Sequence, residues 1–289
     1  TLVEGAPTLV QVLRRDWFYF VPIAVLVWGV LKLDRPVFAG AIACLALVPI
    51  GLVRNRSPRA FVASIVAGLN NGMRQLVGVG IACAVAGLVV GTLSMADLTG
   101  KISSGMFTLA GGSYALTLLV ATVVIILLGM GMPTPAVYAL SAVLAAPALL
   151  ALKIGLLPAH LFIVYFASMS AITPPVAVAA FAAASIARAN PIAVAFVACR
   201  VGIVALVLPL VFVSQAGLLL MGDAATVVTT IGFVLMGAMC LVIAFEGWLF
   251  GLVATPLRAA LVVLAIVLLA QSGAARWGAA ATFLALVVW

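Results

Sequence analysis

From Ser113 to Leu152 the chain runs forty residues without one charged side chain, interrupted only by helix breakers. No water-exposed surface can be built from such a stretch, because soluble domains carry about 25% charged residues. The whole chain carries 7%, with 67% hydrophobic residues. That balance excludes a cytosolic enzyme, a disordered chain and a disulfide-rich secreted module. It leaves an all-α polytopic membrane protein. The formal charge is +8, from 14 Lys and Arg against 6 Asp and Glu. It does not mark a nucleic-acid binder, since the basic residues stand singly between apolar runs and set orientation from loops. The chain starts at Thr1 and stops within Leu284-Ala285-Leu286-Val287-Val288-Trp289, which reads as a piece of a longer protein.

A spanning helix needs about 20 mostly apolar residues. Trp17–Leu31, entered by Arg14, Arg15 and Asp16 and opened by four aromatic residues, predicts a first span; Val37–Val53 predicts a second. The basic run Arg54, Arg56 and Arg59 then belongs in the cytoplasm by the positive-inside rule. Residues 60–75, broken by Asn70, Asn71 and Arg74, read as an interfacial helix, with Arg74 snorkelling to the headgroups. A third span follows over Leu76–Met95, and then a weakly apolar segment. Later spans are expected at Ala159–Ala187, Pro191–Val213, Val227–Val253 and Leu257–Leu269, with a partial one from Gly278. Counting crossings puts Arg188 and Arg258 on the same face as Arg54, Arg56 and Arg59. The Asp223 loop, which has no basic residue, falls on the other. The expected domains are N-terminal scaffold helices over 1–60, an interfacial arm and a span over 61–112, a transport hairpin with a broken helix over 113–190, and C-terminal helices over 191–289.

Two breaks carry the functional reading. Gly129-Met130-Gly131-Met132-Pro133-Thr134-Pro135 holds no charge and a single hydroxyl. An ordinary tight interhelical turn is one reading. The other is a break kept at membrane depth, where unpaired backbone groups survive only by lining a cavity or a site. The second break is Ile172-Thr173-Pro174-Pro175, with Ser168 and Ser170 beside it. Prolines free carbonyls one turn back, and Pro174 drives Thr173 out of the helical region. The point offers carbonyls and hydroxyls, the hard oxygens sodium prefers, and the next helix aims its positive end at it. A proline kink satisfied by neighbouring helices is the plain alternative. Paired Gly/Pro-interrupted apolar segments together point to a secondary transporter's midplane site.

Arg200 lies about 13 Å into its span at the helical rise, and a charge that deep points to function. A substrate carboxylate, the carbonyls of a broken helix, or Glu246 could pair with it. Lys153 and His160 flank Pro158 and read as solvated. Cys44, Cys83, Cys199 and Cys240 stand alone in apolar stretches and read as packing residues. GxSxG, HExxH and phosphate-loop patterns are absent from the sequence, and six acidic residues are too few for a proton relay or a di-metal site.

In order, Gly129–Thr134, Tyr138, Ala146-Pro147-Ala148-Leu149, His160-Leu161-Phe162, Tyr165-Phe166, Ser170–Ala177, Ala189-Asn190-Pro191 and Arg200-Val201-Gly202 resemble the large membrane subunit of tripartite ATP-independent periplasmic (TRAP) transporters. The TAXI-type branch, with fused membrane subunits, is the nearest in pattern. The resemblance covers roughly residues 55–215. It implies an elevator-type secondary transporter that imports organic acids on a sodium gradient, in the cytoplasmic membrane of a bacterium or archaeon. The implied partners are a periplasmic solute-binding protein, a small membrane subunit or fused segment, the missing N-terminal half of the permease and the lipid bilayer. No organic cofactor is implied; Na+ is the coupling ion. The re-entrant hairpin maps to 113–152 and the unwound helix to 159–187. Sodium would be held by Gly129, Gly131, Met132, Thr134, Ser170, Ala171 and Thr173, and substrate by Thr134, Thr173, Pro174 and Arg200. Pro135 stands where the branch more often has a small polar residue. A membrane-embedded enzyme, a non-transporting assembly subunit and a different ion-coupled carrier are the competing readings.

Overall fold

The computed structural model describes residues 17–33, 35–54, 57–249, 251–270 and 273–288. Among them the chain is helical apart from turns and one isolated bridge, Trp248 to Leu252. Arg14, Arg15, Asp16, Arg56 and Trp289 lie outside the described residues. The chain divides into two compact units, Thr1–Val77 and Gly78–Trp289.

In the first unit a 3-10 turn at Trp17–Tyr19 leads into α1 (Phe20–Leu33), which packs against α2 (Pro36–Arg54). Both helices meet through small residues: Gly29 is buried on α1, and Ala39 and Ala43, one turn apart, are buried on α2. Lipid tails are as apolar as leucine, so close backbone approach rather than water exclusion holds such a pair together. The sequence predicts an interfacial helix ending near Gln75, but the structure draws one helix, α3 (Pro58–Met95), across that point. Asn70, Asn71 and Arg74 are exposed polar residues on a helix without a proline beyond its first position, so nothing there stops it. The boundary between the two units falls within α3.

The second unit continues with α4 (Leu98–Leu109), then α5 (Tyr114–Leu128) and α6 (Thr134–Ala151), which pair as a hairpin. The weakly apolar segment after Met95 is therefore helical. Its buried Ser103 donates to the Leu144 carbonyl at 2.6 Å, fastening α4 to the hairpin. Next come α7 (Leu156–Met169), α8 (Val178–Ala187), α9 (Pro191–Val201) and α10 (Ile203–Ser214). Phe162 and Phe166 on α7 are fully buried with rings 4.8 Å apart, in one core with Ile125, Val137, Leu149 and Phe212. The chain closes with α11 (Ala224–Glu246), α12 (Thr255–Leu269) and α13 (Gly273–Val288), which share a second core around Cys240, Ala265, Leu268 and Phe283. Helix α10 lends Leu206 and Leu210 to the first core and Val204 and Val207 to the second.

Among the described residues, three helices are individually long and apolar enough to cross a membrane: α3, α6 and α11. Their neighbours are shorter apolar helices, and large side chains such as Leu88, Leu235 and Ile266 stand exposed as a lipid-facing surface requires. The expected single span Pro191–Val213 is two helices, interrupted at Gly202, and α9 turns by 116° from α8. Asn190 sets that turn: its side chain accepts from the amides of Ile192 and Ala193, so a new helix starts at Pro191. The span expected over Val227–Val253 stops at Glu246, where Gly247 takes a left-handed φ of 72°. Arg258 caps this end, donating from Nε to the Ala244 carbonyl at 2.6 Å and from Nη2 to the Phe245 carbonyl at 3.2 Å. The last helix begins at Gly273 rather than near Gly278.

At the other end of α11, Asp223 is the N-cap and accepts from the Thr226 amide and hydroxyl. The Thr226 hydroxyl and then its amide hold the exposed Asp223 carboxyl below its ordinary range. A carboxyl with a lowered pKa stabilises the folded state above its unfolded value, and that support fades as pH falls through the folded one. Acidification below the usual carboxylate range should therefore fray the start of α11. Asp223→Asn, which keeps a capping oxygen, should remove this acid sensitivity. Amide exchange at Thr226 in nanodiscs, followed against pH, checks both.

Candidate functional site

The two breaks stand where the sequence places them. Between α5 and α6 lies the turn 129–133, and between α7 and α8 lies the turn 170–177, with a cis Pro174–Pro175 bond. The hairpin bounds match the expected 113–152 closely, and the broken unit begins at Leu156, three residues before its expected start. Pro133 and Pro135 suit the opening of α6, where first-turn amides have no intrahelical acceptor. That position, rather than a lost hydroxyl, is the structural use of Pro135.

The breaks touch each other. Ser170 is 3% exposed and donates to the Gly129 carbonyl at 3.2 Å and to the Ala167 carbonyl at 2.8 Å. A Cβ built on Gly129 would lie 2.2 Å from Ser170 Oγ, so only glycine fits there. Gly131 has φ +80°, a left-handed turn that glycine adopts at little cost, and its Cβ position lies 3.7 Å from Val176. Four helix ends consequently converge: the C-terminal ends of α5 and α7 and the N-terminal ends of α6 and α8. Helix C-termini carry partial negative charge and N-termini partial positive charge. The junction therefore presents cation-attracting and anion-attracting backbone side by side.

The oxygens divide into spent and unspent. The Ala171 carbonyl accepts from the Ala179 amide at 2.9 Å, and the Thr173 carbonyl from the Ala177 amide at 3.3 Å. The Gly129 carbonyl takes Ser170 and, at 3.4 Å, the Met132 amide. Thr173 Oγ1 donates back to the Met169 carbonyl at 2.8 Å. Among the described residues, the half-buried Thr134 hydroxyl and the carbonyls of Met130, Gly131, Met132 and Pro174 make no hydrogen bond. Ser170, expected as an ion ligand, shares its single proton between the Ala167 and Gly129 carbonyls, which joins the two breaks and leaves its oxygen lone pairs open.

Arg200 has one of its three expected partners. Its Nη2 meets Glu246 Oε2 at 2.7 Å, with the two side chains 50% and 39% exposed. One residue earlier, Cys199 Sγ donates to the Ile172 carbonyl at 3.5 Å, and two residues later Gly202 packs against Ile172. Cys199 is thus more than the packing residue the sequence suggests. His160, expected to be solvated, is half-buried, and its Nδ1 lies 3.0 Å from the Tyr138 hydroxyl, joining α7 to α6. Lys153 is exposed, as expected of a loop. A further polar cluster had no sequence signal. Buried Gln215 donates to the Leu269 carbonyl, and Arg276 donates to Gln215 Oε1 at 2.8 Å and to the Leu268 carbonyl at 3.0 Å.

Against known families, residues 4–227 match the profile described as Tripartite ATP-independent periplasmic transporter, DctM component. No curated protein and no solved structure matches the chain.

Proposed function

The chain belongs to the DctM-component family of tripartite ATP-independent periplasmic transporters, and from that premise we propose that it is the permease part of a sodium-driven importer of organic acids. It is a multi-pass membrane protein of a transporter component family, whose members work with a periplasmic binding protein and a small membrane subunit. The observation that carries the proposal is the contact between Ser170 and Gly129, which brings four helix ends to one point. Interrupted helices with their ends at one site are how secondary carriers hold an anionic substrate group and its coupling cation together. Sodium is assigned to the unspent carbonyls of the 129–133 turn and the Thr134 hydroxyl. The solute carboxylate is assigned to the positive N-terminal ends of α6 and α8, near Thr173 and Pro174. Arg200 already faces Glu246 and is left out of the solute site. The setting is the cytoplasmic membrane of a bacterium or archaeon, and the hairpin and broken helix move as one elevator body.

Full-length permease, reconstituted with its small subunit and binding protein in proteoliposomes, tests this reading. Uptake of a labelled carboxylate should require both an inward sodium gradient and the binding protein. Uptake that ignores both, or that runs on ATP alone, refutes it.

A further inference from the structure

Residues 228–289 lie beyond the family match, yet they hold one partner of an ion pair whose other partner lies within it. Glu246 ends α11, and Arg200 sits in the last turn of α9. The residues on either side of Arg200 grip the second break: Cys199 donates to the Ile172 carbonyl, and Gly202 would place a Cβ 3.3 Å from Ile172 Cδ1. Two residues before Ile172, Ser170 seats the hairpin tip through Gly129. These contacts form an unbroken physical series from Glu246 to the junction of the two breaks. The α11 end of that series is rigid, because Arg258 also caps its carbonyls.

We infer that Glu246 is a positioning residue: by holding Arg200 it fixes α9 and, through Ile172, the geometry of the twin-break site. This rests on the site reading above and adds to it a regulatory function for helices that the family match does not reach. A charge pair in partial solvent is weak by itself, about 0–1 kcal/mol. Removing the carboxylate frees the Arg200 side chain, and with it the end of α9 that rests on Ile172. Site geometry and pairing should therefore shift together.

Cys199 reports the geometry directly. In full-length permease reconstituted with its partners, Cys44, Cys83 and Cys240 are replaced by alanine. Labelling of Cys199 by a small methanethiosulfonate reagent is then timed in sodium and in choline. Sodium should slow labelling. Glu246→Gln should raise the half-protecting sodium concentration about tenfold, within the 5- to 150-fold range of coupled sites. The double variant Arg200→Glu with Glu246→Arg should bring it back within about twofold of the parent, a recovery expected only if the pair itself supplies the coupling. An unchanged sodium requirement and unchanged sodium-free labelling in Glu246→Gln overturn the inference. A swap that stays monodisperse yet restores nothing does the same. If the parent's labelling ignores sodium, the sodium reading fails and the pair is judged on the sodium-free rate. That rate should rise in Glu246→Gln and return in the swap; a flat rate across the three proteins overturns the inference.

Discussion

Gly129→Ala is expected to cut sodium-driven uptake about 100-fold, the loss that follows when a supporting element shifts a site by about an ångström. The added methyl would stand 2.2 Å from Ser170 Oγ and 2.5 Å from its Cβ, inside any tolerable contact. The collision involves a short buried side chain with no room to swing, so the hairpin tip must move away from the second break. Overpacking of this kind costs about 1–3 kcal/mol of stability, so some folded protein should remain for assay. Pairing Gly129→Ala with Ser170→Gly removes both clashing atoms and should recover part of the uptake, though without the bridging hydrogen bond. Transport normalised to monodisperse protein distinguishes the outcomes. Full activity in Gly129→Ala would show that the two breaks need not touch.

Thr134→Val should raise the half-activating sodium concentration of uptake by about 10- to 100-fold, the equivalent of losing one oxygen bound to a charged group, about 1.5–3 kcal/mol. Its hydroxyl is half-buried at the tip and makes no hydrogen bond among the described residues. Thr173→Val should do less, because sodium is assigned to the 129–133 turn and Thr173 lies beside the solute site. Its hydroxyl donates to the Met169 carbonyl and keeps its oxygen lone pairs. The comparison is informative because the two threonines are equivalent in the sequence and differ only in the folded chain. A sodium titration of uptake for both variants decides it, and equal effects would place both hydroxyls on the ion.

Much of the hairpin could be read from the sequence for a simple reason. Glycine and proline act locally, so Gly129–Pro135 had to end one helix and start another wherever it lay. The absence of charge had to keep that end in lipid or protein. The second break was legible in the same way from Pro174 and Pro175. Their meeting was not, since Ser170 and Gly129 are 41 residues apart and neither carries a signal of its partner. Arg200 shows the same limit: depth marked it, while the choice of Glu246 among three partners depended on how α9 turns away from α8. Arg188 and Pro191 mark a boundary there, but the 116° turn depends on a single capping asparagine, Asn190. The helix end expected near Gln75 is missing for the opposite reason, since polar residues on one stretch of α3 change its surface without breaking its backbone.

The arginines that close α11 and α12 separate charge from shape. Arg258 and Arg276 spend their donors on the carbonyls of Ala244, Phe245 and Leu268. Two of the 14 basic groups that make up the net charge of +8 therefore face helix ends instead of lipid headgroups. A lysine at position 258 would leave every electrostatic count of the chain unchanged. It would offer a flexible point charge in place of a planar fork, and so would lose the fixed geometry that matches two successive carbonyls. The membrane would read the same topology from a protein that had lost the staple at its turn.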